Sequence, residues 1–149
     1  MTTGTKAMKI IKPGSEPSND GPLEYFTGVV RVTPLVHGEE PSCLTCASVG
    51  FQPGARSAWH THPKGQLLMV TDGAGLIQEW GKPVRRIVKG DVIWTPPDVK
   101  HWHGASPDSA MTHTACQEMK DGKNVDWMEK VTDQEYGTSP TDDVIPSST

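Results

Sequence analysis

Two pairs of histidines with the same spacing are the most chemically informative feature of this sequence. His60 and His62 are separated by one residue, and His101 and His103 repeat that spacing later in the chain. Side chains two residues apart point to the same face of a β-strand, so each pair would project both imidazoles to one side. Gln66 follows the first pair at the same parity. Because imidazoles and an amide oxygen are suitable ligands for divalent metal ions, the pattern predicts a metal site built from two strands. A metal-free pocket lined by histidines is the alternative.

The elements that position these residues are predicted to be short strands joined by turns. The chain has 15 glycines and 13 prolines, and apolar runs that alternate with period two lie between them. The predicted strands span residues 25–36, 43–51, 57–62, 66–71, 75–80, 85–88, 91–95, 101–105 and 111–118. A helix is predicted over residues 125–136, where Val125, Met128 and Val131 are spaced three apart. The pattern indicates an all-β fold, an antiparallel sandwich or small barrel with a short C-terminal helix.

Length and composition limit the organisation and the partners. A chain of 149 residues fits one domain, which we assign to residues 23–136, between a flexible lead-in over 1–22 and a disordered tail over 137–149. A formal charge of −4 without a cluster of Lys or Arg argues against nucleic-acid binding. No apolar run reaches the length of a membrane span, and the N-terminal residues do not resemble a signal peptide. Three cysteines are too few for a disulfide scaffold, which favours a reduced, cytoplasmic protein.

Two further groups of residues are predicted to be structural. Cys43 and Cys46 have the spacing of a zinc or redox pair, but residues three apart in a strand face opposite sides. Three tryptophans lie close to the candidate ligands in the sequence. Trp59 and Trp102 are next to His60 and His101, and Trp94 lies on the preceding predicted strand. Their parity predicts that they face away from the metal site, in a second layer or a subunit contact.

The spacing of the candidate ligands resembles the two sequence motifs of the cupin superfamily. The first motif is matched at Gly54, His60, His62, Gln66 and Gly73, with Gln66 where many members have Glu. The second is matched at Gly90, Pro96 and His101, with Asp98 and Ala105 where Gly and Asn are usual. The resemblance implies a single-domain cupin, an antiparallel β-barrel or jelly roll. It also implies a divalent metal ion bound by His60, His62, Gln66 and His101.

A narrower resemblance extends over residues 25–136. Five segments are similar to the bacterial manganese-dependent cupin hydroxynitrile lyases: 25–28, 53–63, 100–105, 110–113 and 121–129. The resemblance implies Mn²⁺ as the ion, although Fe²⁺, Zn²⁺, Co²⁺ and Ni²⁺ also suit the donors. It implies a lyase that cleaves a cyanohydrin to a carbonyl compound and hydrogen cyanide and catalyses the reverse addition.

The same resemblance, together with strand parity, suggests roles for the remaining residues. The metal ion would bind the substrate hydroxyl, and His103 would take its proton. His113 or Gln117 would hydrogen-bond the departing cyanide and help supply its proton. The walls of the substrate pocket are predicted to include small residues, Ala47, Val49 and Ser57.

The neutral amide of Gln66 bears on the class of reaction. A set of neutral ligands leaves the charge of the ion uncompensated, which strengthens its Lewis acidity and disfavours higher oxidation states. This favours redox-neutral chemistry on a small-molecule substrate. An Fe²⁺-dependent dioxygenase and a non-catalytic small-molecule-binding cupin remain the alternatives. An exposed strand over residues 25–36 predicts a homodimer or homotetramer by edge pairing.

Overall fold

The computed structural model describes residues 7–141, and its chain is almost entirely β-structure. Residues 142–149 of the predicted tail and residues 1–6 of the predicted lead-in therefore lie outside the described residues. Within residues 7–141 the elements are β1 (Asn19–Asp20), β2 (Phe26–Thr27), β3 (Val30–His37), β4 (Leu44–Phe51), β5 (Arg56–Ser57), β6 (His60–Thr61), β7 (Gln66–Glu79), β8 (Arg85–Val88), β9 (Val92–Thr95), β10 (His101–Ala105), β11 (Met111–Glu118), β12 (Asp126–Trp127) and α1 (Asp133–Tyr136). The all-β prediction with a short C-terminal helix is confirmed.

The strands form one curled antiparallel sheet in the order β1-β3-β4-β11-β7-β10-β5-β2. Strand β7 connects the two halves of the curl, because its first part pairs with β11 and β9 and its second part with β10 and β8. The short strand β6 pairs with β10 and β12. The result is a half-barrel whose concave side receives side chains from β4, β7, β10 and β11.

The prediction of two separate strands over 66–71 and 75–80 was wrong. The chain continues through Asp72 and Gly73 as one strand of 14 residues. The register with β11 shifts between Thr112 and His113, which marks a bulge in the pairing. Gly73 has a φ of +74°, a conformation that bends β7 without ending its pairing.

The predicted helix over 125–136 is also much shorter in the structure. Only Asp133–Tyr136 is helical, and Thr132 begins it with a capping box that includes Glu135. Asp126–Trp127 instead forms β12, which pairs with β6. Trp127 stacks on Tyr25 with ring centroids 4.7 Å apart. Pairing and aromatic packing therefore override the three-residue spacing that suggested a helix.

Buried side chains form two layers on opposite sides of the histidine strands. The inner layer includes Phe26, Val30, Val49, Phe51, Val70, Ile87 and Met111. The outer layer consists of Trp59, Leu76, Val84, Trp102, Val131 and Tyr136. Trp59 and Trp102 are buried in it, as their parity predicts, whereas Trp94 is 58% exposed. Among the described residues, no helix has the length and apolarity that a membrane crossing requires.

Gly73 gives a test of the bend in β7. A Cβ at this position would collide with the carbonyl oxygen of Ala110, in addition to the strain of a positive φ. Gly81 also has a positive φ, but a Cβ there would meet nothing within 4 Å. We expect Gly73→Ala to lower the free energy of unfolding by about 1–3 kcal/mol more than Gly81→Ala does. Urea unfolding of both variants measures the difference, and equal values would contradict the steric constraint.

Candidate metal centre

Strand pairing brings the candidate ligands together from distant parts of the sequence. His101 on β10 lies directly opposite His60 on β6. Gln117 on β11 lies directly opposite Gln66, the first residue of β7. His60, His62, Gln66 and His101 are all buried, with exposed fractions of 4% or less. The four residues predicted as ligands therefore converge on one interior region.

Main-chain carbonyls orient three of the imidazoles. Because a carbonyl oxygen only accepts a hydrogen bond, the Nδ1 atom that contacts it must carry the proton, and the lone pair is then on Nε2. The acceptors are the carbonyls of Ala58 for His60 (2.8 Å), Asn124 for His62 (2.7 Å) and Val99 for His101 (3.0 Å). All three rings are thus fixed in the tautomer that can ligate a metal ion through Nε2.

A chain of hydrogen bonds orients the amide of Gln66. The Thr45 hydroxyl donates to the main-chain carbonyl of Gln117 at 2.7 Å, so it must accept from the side-chain Nε2 of Gln117 at 3.0 Å. The Oε1 of Gln117 then accepts from Gln66 Nε2 at 3.0 Å. This leaves Gln66 Oε1 facing the histidines, 3.3 Å from His101 Nε2. The side-chain oxygen of Gln66 therefore faces the site and can act as a metal ligand.

The sequence reasoning missed Thr45 and Asn124. Thr45 shares the parity of Ala47 on β4, so strand alternation could have identified it. Asn124 donates from Nδ2 to the Thr45 hydroxyl at 3.0 Å, and its carbonyl accepts from His62. It lies in the loop before β12, where no periodic pattern signals its position.

The structure places His103, which was predicted to be a base, among the candidate metal ligands. Ligand atoms of His60, His101 and His103 all lie within 4.8 Å of one another. His62 is outside this closest group, with its ring 4.9 Å from that of His60 and 5.5 Å from that of His101. Among the described residues, the buried Nε2 atoms of both His62 and His103 have no hydrogen-bond partner. Unpaired buried nitrogens beside correctly oriented imidazoles fit a divalent cation.

His113 forms a pair with His103 at the inner end of the site. Its Nε2 lies 3.0 Å from His103 Nδ1, and it is completely buried. Phe51 packs against both rings, with centroids 6.0 Å from His103 and 5.3 Å from His113. The two histidines predicted as catalytic are therefore in direct contact.

Burial keeps all five histidines of the cluster neutral. It lowers the pKa of His101 and of His113 to about 4, from the ordinary value of 6.5. The pKa values of His60 and His103 lie well below 6.5, because of burial and the repulsion of neighbouring imidazolium charges. Burial also lowers the pKa of His62. At neutral pH the cluster is therefore a set of uncharged nitrogen donors.

A cavity of about 340 Å³ opens beside the cluster. The predicted wall residues Ala47, Val49 and Gln117 line it together with His60, His62, Gln66, His103 and His113. Its aromatic lining, which the sequence reasoning did not predict, comes from Tyr25, Phe26 and Trp127. Among the described lining residues, none carries a carboxylate, an ammonium or a guanidinium group.

The predicted wall residue Ser57 does not line this cavity. It is buried, and its hydroxyl accepts a hydrogen bond from the His103 main-chain N–H at 3.2 Å. Ser57 therefore contacts the main chain of a strand that carries two histidines of the cluster.

The buried histidines predict that acid destabilises the metal-free protein. Between the unfolded pKa of 6.5 and the folded pKa of about 4, His101 binds a proton in the unfolded chain but not in the folded one. The free energy of unfolding should therefore fall as the pH drops through this window, by about 3 kcal/mol for His101 alone. Urea unfolding of chelator-treated protein measures the loss at pH values of roughly 7.0, 5.5 and 4.5, which span this window. A His101→Gln variant should lose less stability, and an equal loss would contradict the assignment.

Comparison with known proteins identifies the family. The profile of the cupin domain matches residues 47–114. The chain is 55% identical over 129 residues to the curated (R)-mandelonitrile lyase of Granulicella tundricola. The aligned region covers 87% of this chain and 98% of that protein.

Solved structures agree with this match. The crystal structure of a cupin-like protein from Thermotoga maritima has a TM-score of 0.75 and 42% identity, and covers 87% of this chain and 95% of that one. A polyketide cyclase from Streptomyces resistomycificus has a TM-score of 0.71 at 11% identity, covering 87% and 91% of the two chains, and shows the fold alone. With a curled antiparallel sheet, a cluster of buried histidines and a relative of such identity over almost its whole length, this chain belongs to the cupin family.

Proposed function

We propose that the protein is a hydroxynitrile lyase that cleaves a cyanohydrin to a carbonyl compound and hydrogen cyanide, and also catalyses the reverse addition. The observation that carries the proposal is 55% identity over 98% of the length of an (R)-mandelonitrile lyase. We further propose Mn²⁺ as the ion and the cytoplasm as the location. Among residues 7–141, only Arg31 and Val32 of β3 pair with β1, so the rest of that edge of β3 is available for pairing with another copy, which supports a homodimer or homotetramer.

The lining of the cavity supports a small neutral substrate with an aromatic or apolar group. Tyr25 stacks on Trp127, and Phe26 contacts the same indole edge-on at 5.5 Å. These rings form an apolar wall beside the polar cluster, and the indole of Trp127 lies 4.9 Å from the ring of His60 between centroids. The described lining residues carry no carboxylate, ammonium or guanidinium group, so no side chain among them serves as a counter-ion for a charged substrate, and a cyanohydrin needs none.

The proposed ligands are His60, His62, Gln66 and His101, whose orienting hydrogen bonds are given above. A divalent ion held by them supplies Lewis acidity towards the hydroxyl oxygen of the substrate. Gln66 contributes a neutral oxygen, and its orientation depends on Gln117 and Thr45.

His103 is the proposed general base. With Nδ1–H donating to His113 Nε2, its own Nε2 carries a lone pair and lies in the cavity wall. The substrate hydroxyl proton passes to this nitrogen as the C–C bond breaks, and the electron pair of that bond leaves with cyanide. Contact with His113 fixes the tautomer in which His103 Nε2 is free to take the proton. Return of the proton from His103 to cyanide completes the cycle, because cyanide is the stronger base.

The hydrogen bonding of Gln117 bears on its predicted contact with cyanide. Its Oε1 accepts from Gln66 and its Nε2 donates to Thr45, so one N–H remains for a ligand. His113 is occupied by His103 through Nε2. We therefore assign the proton delivery to His103 and a positioning role to His113 and Gln117.

Metal analysis of the purified protein, coupled to a cyanide-release assay with mandelonitrile, tests the proposal. The assay is run with and without added manganese, and oxygen uptake is followed in parallel. Cyanide release that depends on metal content supports the lyase. Oxygen consumption with Fe²⁺ would favour a dioxygenase, and ligand-induced thermal stabilisation without turnover would favour a binding protein.

Substitution of the histidines separates ligands from the base. His60→Ala, His62→Ala and His101→Ala should lose most of the bound metal, since each removes one of four donors. His103→Ala should keep the metal but lose activity by about two to four orders of magnitude. His37 is exposed on β3, so His37→Ala is the matched control. Metal loss in His103→Ala with retention in His62→Ala would instead assign the ligand set to the three closest rings.

Gln66→Glu separates a lyase from an oxygenase. The added negative charge weakens the Lewis acidity of the site, so cyanide release should slow at equal or better metal occupancy. An oxygenase would be unaffected or improved. Gln78→Glu adds the same charge on β7, where Gln78 bonds Trp102 outside the cavity, and serves as the control. Unchanged cyanohydrin cleavage in Gln66→Glu at matched metal content contradicts the charge argument.

A further inference from the structure

Two of the three cysteines face each other on the outer side of the sheet, behind the candidate metal centre. Cys46 on β4 and Cys116 on β11 are directly opposite partners in the antiparallel pairing. Their sulfur atoms are 2.7 Å apart. Opposite residues of an antiparallel pair have Cα atoms about 4.5–5.5 Å apart, which lies in the range that a disulfide spans. The main chain therefore holds the two thiols where a covalent bond can form without moving a strand.

The third cysteine is held elsewhere. Cys43 donates from Sγ to Glu118 at 3.1 Å and accepts from the Lys64 ammonium at 3.5 Å. It lies before β4, three residues from Cys46, and neither contact brings it to the pair. Cys43 therefore provides an internal control for the reactivity of a single thiol in the same protein.

The pair is accessible to small molecules. Both cysteines are half-buried, and Cys46 lines a surface hollow of about 460 Å³. On the flanking strands their lateral partners are Val36 on β3 and Leu67 on β7. A small neutral oxidant can therefore reach the pair from this side of the sheet.

We propose that Cys46 and Cys116 form a reversible thiol–disulfide modification site that reacts with peroxides. In the first step one thiol of the pair loses its proton and the thiolate attacks one peroxide oxygen. The O–O bond breaks, a sulfenic acid forms, and the departing hydroxide takes up the released proton to give water. In the second step the sulfur of the other cysteine attacks the sulfenic sulfur, the S–S bond forms, and the hydroxyl leaves as water with the thiol proton. Two thiols and hydrogen peroxide thus give one disulfide and two waters, with two electrons passing from sulfur to peroxide.

The crosslink would act directly behind the residues that orient Gln66. Thr45 and Gln117 are the chain neighbours of Cys46 and Cys116, and their side chains point to the opposite face of the sheet. They make the hydrogen bonds that hold Gln117 against Gln66. A bond between the sulfurs would lock the register of β4 and β11 at this point. It would also join positions 70 residues apart, which restricts the unfolded chain.

Thiol counting on the full-length protein tests the proposal. The reduced protein is treated with hydrogen peroxide, then labelled with a maleimide and weighed intact. The number of free thiols should fall from three to one, and dithiothreitol should restore all three. Digestion without reductant should yield a Cys46–Cys116 linked peptide. The melting temperature of the oxidised protein should rise by about 5–10 °C.

Three serine variants make the result specific. Cys43→Ser should still lose both remaining thiols, whereas Cys46→Ser and Cys116→Ser should form no crosslink within the chain. If one of the Cys46→Ser and Cys116→Ser variants does not fold, the other alone tests the loss of the crosslink. Circular dichroism establishes which variants are folded. Three free thiols after treatment that oxidises a glutathione control would overturn the proposal. Linkage through Cys43, linkage between chains, or oxidation of Cys46 and Cys116 to sulfinic acids alone would also overturn it.

Discussion

The burial of five neutral imidazoles is the constraint on which the site depends. A buried imidazole needs an acceptor for its N–H and cannot carry a charge without large desolvation. Main-chain carbonyls near the ends of β6 and β10 and in the loop before β12 meet this need for His60, His101 and His62. The lone pairs of these rings are thereby turned inward. The positions of three carbonyls, as much as the histidines themselves, determine that the cavity offers nitrogen donors at neutral pH.

The single amide among the candidate ligands depends on a different part of the fold. Gln66 presents its oxygen because Gln117 accepts from its nitrogen, and Gln117 is turned that way because Thr45 has already donated its proton to a main-chain carbonyl. Each link fixes the next, so the orientation of a ligand follows from the pairing of β4 with β11. The two cysteines lie on the reverse side of that same pairing. The sheet thus connects a surface thiol pair to the back of the candidate metal centre.

Local patterns predicted the parts of this structure that local geometry controls. Alternation placed His60 and His101 inward and Trp59 and Trp102 in the outer layer, because successive side chains of a strand must face opposite sides. Prediction failed where tertiary contacts outweighed local preference. Trp127 lies in a strand because it packs on Tyr25 and pairs beside His60. Gly73 bends a strand that was predicted to end there, because β7 pairs with β11 up to Gly73 and with β10 after it.

The sequence by itself determined the chemical types of the donors, their parity and the family to which their spacing belongs. Only the tertiary structure decided which rings lie closest, how each tautomer is held and which cysteines meet. His103 joins the group of His60 and His101, and Cys46 meets Cys116 instead of Cys43. The physical reason is that these contacts join strands far apart in the chain. Their register is set by the summed burial and hydrogen bonding of the whole sheet, which no short segment encodes.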